Sequence, residues 1–184
     1  MRPLVILGAA AVILAILRRA ASSSSLPSDG SAQNPERPGG GRILDKRDPP
    51  VAHLVARDGI KMHFGAAVSL DKMSRAYVAE TGDAAGLRAV SGYRSSARQA
   101  ELFADAVARY GSPEAARKWV APPGSSAHQS GRAVDLDMGL PNGSSQVAAQ
   151  RLTARWRWLA ANAARFGFFP YPAEPWHWEW NPAS

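Results

Sequence analysis

Two short segments alternate strictly between apolar and polar side chains, and they narrow the possible folds more than any other feature of this chain. In residues 132–138, Val134, Leu136 and Met138 fall on one face of an extended backbone, and Asp135 and Asp137 on the other. In residues 176–180, three tryptophans fall on one face, and His177 and Glu179 on the other. A period of two over this length specifies a half-buried strand. Each strand must bury its apolar face in a core, which leaves the carboxylates and the imidazole facing a cleft. Pairing the two strands would bring Asp135 and His177 together. His128 lies in the turn that leads into the first strand, and Gly131 allows the bend that folds it over the same spot.

These side chains are metal donors. The sequence contains no cysteine, so any metal must sit on His, Asp or Glu. Two imidazoles and one carboxylate can hold a zinc ion and leave a coordination position open, the usual arrangement of catalytic zinc. On spacing alone, Asp135 and Asp137 are both candidates for the carboxylate. Glu174 supplies a spare carboxylate of the kind hydrolysis needs as a base. It stands an odd number of residues from His177, so a regular strand would turn it to the wrong face. Pro175 interrupts the ladder and offers a way out. Taken singly, a histidine on a polar strand face is an ordinary hydrogen-bonded histidine, and a pair of aspartates is a solvated face. Two patches of matched polarity select the metal reading.

Of the 184 residues, 46% are hydrophobic, enough for one core. Residues 4–17 form an apolar run between Arg2 and Arg18-Arg19. As a helix it spans about 21 Å, short of a hydrocarbon core of about 30 Å. Residues 1–20 therefore read as a signal peptide or a short membrane anchor. Residues 21–50 are rich in Ser, Pro and Gly and read as a disordered linker. Residues 51–184 form the folded domain. Within it, Ser69 predicts the start of a helix carrying Leu70, Met73 and Tyr77 inward and ending at Gly82. A short strand is expected over 87–93. Ser95 or Ser96 predicts a helix with Phe103, Ala106, Val107 and Tyr110 inward, closed by Gly111. Ser144 or Ser145 predicts a long helix with Leu152, Trp156, Leu159, Ala163 and Phe166 on one stripe, ended by Gly167. Helices and strands mix without βαβ alternation, so the expected class is α+β, a small antiparallel sheet packed with several helices.

The formal charge of +7 and pI near 10.4 admit nucleic acid, anionic membrane or anionic polymer as partners. The basic residues of the domain are scattered, with no run and no nucleic-acid motif, so nucleic acid is not expected. An anionic cell-wall environment is compatible.

The pattern Ser126-x-His128-x-x-Gly131-x-Ala133-x-Asp135, followed by Glu174-x-x-His177, resembles the signature of the LAS-type zinc peptidases. That family includes the VanY-type D-alanyl-D-alanine carboxypeptidases. Ser91-Gly-Tyr-Arg94-Ser with Gln99 on the next helix, and Pro122-Pro-Gly124, add to the likeness, which covers residues 73–180. The resemblance implies that His128, Asp135 and His177 hold Zn2+, with Asp137 left as a neighbour of the metal set or a substrate contact. It implies that Glu174 is the general base, that Arg94 stabilises the developing oxyanion, and that Ser126 and Gln99 line the substrate site. The implied activity is trimming of peptidoglycan stem peptides by an exported enzyme, secreted or held at the membrane through residues 4–17. Competing expectations are L,D-carboxypeptidase, dipeptidase or endopeptidase cleavage by the same site. A non-catalytic, zinc-stabilised wall-binding module is the rival from another class.

Overall fold

The computed structural model describes residues 45–182. The expectations for residues 1–20, and for most of 21–50, lie outside them. Among the described residues no helix is long and apolar enough to cross a membrane.

The first elements are β1 (Leu54–Arg57) and β2 (Ile60–His63), an antiparallel hairpin. Its two-residue turn has φ of 54° at Asp58 and 77° at Gly59. Positive φ at both positions suits the right-handed twist of the strands, and Asp-Gly is a strong sequence signal for such a turn.

Helix α1 (Phe64–Thr81) follows directly. It buries Leu70, Met73 and Tyr77, as the spacing predicts, and ends at Gly82 in the left-handed region. Its start corrects the expectation at Ser69. The cap is His63, whose Nδ1 accepts from the Gly65 amide at 3.1 Å. Histidine is a rare cap, and Ala66 and Ala67 extend the buried stripe a turn earlier than the large apolar residues reveal.

Strand β3 (Ala89–Ser91) is shorter than predicted. Helix α2 (Ser96–Tyr110) is capped by the Ser95 side chain and closed by Gly111, in line with the sequence. Its buried face is Gln99 and Ala106, while Tyr110 is exposed and stacks on Trp119. A short helix, α3 (Pro113–Ala116), comes next. Strand β4 (Ala133–Leu136) then enters the sheet. The predicted long helix is instead broken into α4 (Val147–Arg151) and α5 (Ala154–Asn162), flanked by short 3-10 turns. Thr153 causes the break: its hydroxyl accepts from the Trp156 amide and caps a new helix. Leu152, expected on the buried stripe, is 73% exposed, whereas Leu159 is fully buried. Strands β5 (Phe168–Tyr171) and β6 (Glu174–Trp180) close the chain.

The main sheet is antiparallel throughout, in the order β3-β4-β6-β5. With five helices among the described residues, the fold is α+β. One face of the sheet meets α1 and α5: Val134, Leu136, Phe168 and Trp178 pack with Leu70, Met73 and Leu159, all fully buried. Each such side chain contributes about 1.5–3 kcal/mol through removal of apolar surface from water. The opposite face is free to carry polar groups.

Leu159→Ala is therefore expected to cost about 2–5 kcal/mol, and Leu152→Ala about 0.5 kcal/mol or less, measured by urea unfolding. Equal losses would mean that 144–166 forms the single helix expected from its apolar stripe.

Candidate metal centre

The register of the sheet builds the centre. In the β4–β6 pair, Asp135 stands directly opposite His177, and Ala133 opposite Glu179. Asp135 Oδ1 lies 3.1 Å from His177 Nδ1. His128 comes from a 3-10 turn, Ala127–Ser130, whose chain is reversed by Gly131 at φ 68°. That reversal sets His128 Nε2 3.4 Å from the same Asp135 oxygen. The two imidazole rings meet edge to face at 4.8 Å. One donor atom from each of the three residues lies within 4.8 Å of the others.

Each imidazole is oriented from behind. His128 Nδ1 lies 2.7 Å from the Gly92 carbonyl. A carbonyl only accepts, so Nδ1 carries the proton and Nε2 turns a bare lone pair inward. Gly92 is required because a Cβ there would run into the Lys61 carbonyl and the Ile60 side chain. His177 presents Nδ1 inward, and its Nε2 lies 3.8 Å from Glu179 Oε1, an ion-pair distance. Glu179 was legible as a neighbour of His177 on one strand face; the part played by Gly92 was not, because it depends on a contact 36 residues away.

The donor set fits zinc. Tetrahedral bonds of about 2.0–2.1 Å put neighbouring donors roughly 3.3 Å apart, and the two spacings from Asp135 Oδ1 are 3.1 and 3.4 Å. Without metal the three groups form a buried charge cluster. Burial lowers the His177 pKa, but the Asp135 and Glu179 carboxylates outweigh it and raise it to about 9. Burial raises the Asp135 pKa, yet the two imidazoles hold it well below the usual carboxylate range. A metal binding here displaces a proton, so affinity falls as pH is lowered.

The cluster sits in a cavity of about 450 Å³ that Arg94, Gln99, Ser126 and Glu174 also line. A register shift in the β5–β6 hairpin accounts for Glu174. Pro170 pairs with Trp178 but Tyr171 pairs with Glu174, so residues 175–177 bulge against β5. The bulge resolves the parity problem: Glu174 and His177 both reach the cavity, and the Glu174 charge is close enough to help raise the His177 pKa. Tyr171, beside the bulge, brings its ring 5.6 Å from that of His177; nothing in its local sequence marks it.

Arg94 is fixed twice. Its amide donates to the His128 carbonyl, and its guanidinium donates to Gln99 Oε1 at 3.1 Å. Gln99 is 1% exposed and donates through Nε2 to the Ala121 carbonyl. Its amide thus carries Arg94 rather than standing at an exposed helix position. Ser126 is buried at the cavity wall. Asp137, the alternative carboxylate, is engaged elsewhere. It accepts from the Gly139 amide at 2.8 Å and Arg88 at 2.6 Å, and both hold its pKa low.

The VanY family, D-alanyl-D-alanine carboxypeptidase, matches residues 59–183, and the chain belongs to it. A D-alanyl-D-alanine carboxypeptidase of Enterococcus faecalis (strain ATCC 700802 / V583) is 36% identical over 110 residues, covering 49% of this chain and 38% of that protein. The chain spans under two fifths of the curated relatives it matches, 37% and 38% of their lengths. Among solved structures, the LD-carboxypeptidase LdcB is 30% identical with a TM-score of 0.62, covering 74% of this chain and 71% of that one. A zinc(II) complex of a variant of the vancomycin-resistance D,D-pentapeptidase VanY is also 30% identical, with a TM-score of 0.53 and coverage of 75% and 86%.

The purified protein is expected to bind about one zinc, which His128→Ala, Asp135→Ala or His177→Ala each displaces and Asp137→Ala leaves in place. Glu179→Gln should weaken zinc about 10–100-fold, as loss of an orienting partner does. Metal titration against a chromogenic chelator measures all five variants. Loss of zinc in Asp137→Ala with retention in Asp135→Ala would reverse the assignment.

Proposed function

We propose that this protein is a zinc-dependent D-alanyl-D-alanine carboxypeptidase that trims peptidoglycan stem peptides. The observation that carries the reading is Glu174: a carboxylate in the same cavity as the three donors, but outside the donor set. A purely structural metal site has no use for a free base beside it, which argues against a non-catalytic wall-binding module.

His128, Asp135 and His177 would hold the ion, which would supply Lewis acidity for water and for the scissile carbonyl. Glu174 accepts the proton from the attacking water and returns it to the leaving amine as the C–N bond breaks. Arg94, held by Gln99, faces the oxygen on which negative charge develops. Ser126 lines the wall beside the peptide. The half-buried site excludes much of the water that would screen these charges.

The substrate class is supported by family membership and by the VanY enzyme solved with D-alanine-D-alanine, 28% identical with a TM-score of 0.55. Peptidoglycan lies outside the cytoplasmic membrane, so the domain acts there, and residues 1–20 serve as export signal or anchor. The likeness to LdcB favours a second reading, cleavage of an L,D bond in a stem tetrapeptide.

Incubation of the full chain with defined stem peptides, with products read by mass spectrometry, separates these readings. A pentapeptide ending in D-Ala-D-Ala should lose one D-Ala, and amidating its terminus should slow cleavage sharply. Preferential loss of D-Ala from the tetrapeptide moves the assignment to L,D cleavage; equal cleavage of free and amidated peptides moves it to an endopeptidase. Glu174→Gln should keep zinc and lose about a hundredfold or more in turnover, in line with general-base contributions. Near-normal turnover in that variant removes Glu174 from the mechanism.

A further inference from the structure

Residues 45–50, which composition groups with the linker, are tied onto the folded domain. The Asp48 carboxylate accepts from the Ser96 amide at the start of α2, at 3.0 and 3.2 Å, where the helix dipole favours a negative charge. Pro49 and Pro50 stiffen the chain between that anchor and the elements that follow. Two residues earlier, Lys46 Nζ donates to the Ser125 carbonyl at 2.7 Å.

A closed hydrogen-bonded circuit joins these two contacts. Gln129 is fully buried; its Nε2 donates to Ser96 Oγ at 2.6 Å, and its Oε1 accepts from the Gly124 amide at 2.8 Å. The path runs from Asp48 through Ser96, Gln129 and the 124–125 backbone to Lys46, and returns along the chain to Asp48. Three separate segments therefore fix the position of Lys46. A cation held in place before substrate arrives loses little entropy on binding.

Among the described residues, the cations lining the metal cavity are Lys46, Arg94, Arg117 and Lys118. Arg94 is engaged by Gln99 and, in the proposed reaction, faces the oxyanion. Arg117 and Lys118 are exposed, and exposed charges contribute little to binding. Lys46 is half-buried. Its ammonium has three N–H donors, of which the Ser125 carbonyl takes one, leaving donors for an anionic oxygen. A carboxypeptidase needs such a group, because it must distinguish a free C-terminal carboxylate from an internal peptide bond.

We propose that Lys46 recognises the terminal carboxylate of the substrate peptide, so that the chain leading into the domain forms part of the binding site. The proposal rests on the carboxypeptidase reading above and names the residue that sets its specificity.

The test compares kcat and KM of the full chain on a stem pentapeptide with a free terminus and on its amide. In the wild type the amide should show a KM at least about tenfold higher, the scale of one charge-assisted hydrogen bond. Lys46→Met should raise the KM of the free peptide by a similar factor, leave kcat nearly unchanged, and erase the difference between the two peptides. Lys46→Arg should restore most of the preference. Zinc content and melting temperature report whether each variant is intact, and Lys46→Gln is the second neutral variant with the same expected loss. A preference that survives in both neutral variants overturns the proposal. A KM raised equally for both peptides also overturns it, since Lys46 would then meet an anion elsewhere on the substrate. Failure of the wild type to cleave either pentapeptide overturns the D,D-carboxypeptidase reading and, with it, the proposal as tested on that substrate. Wild-type cleavage with unaffected Lys46 variants overturns the proposal alone.

Discussion

In the pairing of β4 with β6, Asp135 stands opposite His177 because their neighbours, Val134 and Trp178, are both fully buried on the other face. The side-chain period of a strand is two, so a slip of one residue would send the donors into the core and the apolar residues into the cavity. The cost of burying charge while exposing tryptophan locks the register. Core packing thus sets the geometry of the three donor residues, and α1 and α5 act on the site at a distance by holding the apolar face in place.

Against that fixed pair, the other groups are placed by local departures from regularity. Gly131 turns the chain so that His128 folds back over Asp135, and Gly92 admits the close approach that lets its carbonyl orient the ring. The bulge in β6 brings Glu174 to the cavity out of phase with the strand. Arg94 is carried by a buried glutamine on α2. In the proposed reaction these devices set His128 among the donors and Glu174 and Arg94 beside them, the division between metal-holding and proton- or charge-handling groups that hydrolysis needs.

The strand faces and the Asp135–His177 contact were legible because alternation is a local pattern with one physical solution. A serine cap at 95 or 96, which the structure resolves to Ser95, and the glycine stops at Gly82 and Gly111 were legible for the same reason. Between Asp135 and Asp137 the spacing could not choose, since both share a face. The choice follows from Arg88 and the Gly139 amide, which occupy Asp137, and Arg88 is 49 residues away. The start of α1 was missed because His63 caps it, and the break at Thr153 because an apolar stripe outweighed a cap signal that was present in the sequence. Lys46 was hidden in a stretch whose composition reads as linker; its contact spans 79 residues.

The proposed function depends on one small metal centre built from His128 Nε2, Asp135 Oδ1 and His177 Nδ1. Anomalous diffraction from crystals of the zinc-loaded protein, recorded on both sides of the zinc absorption edge, tests it most directly. A zinc peak is expected bonded to those three atoms at about 2.0–2.2 Å, with Glu174 outside the donor set. A zinc bound through Asp137, or one ligated by Glu174 in place of Asp135, would contradict it.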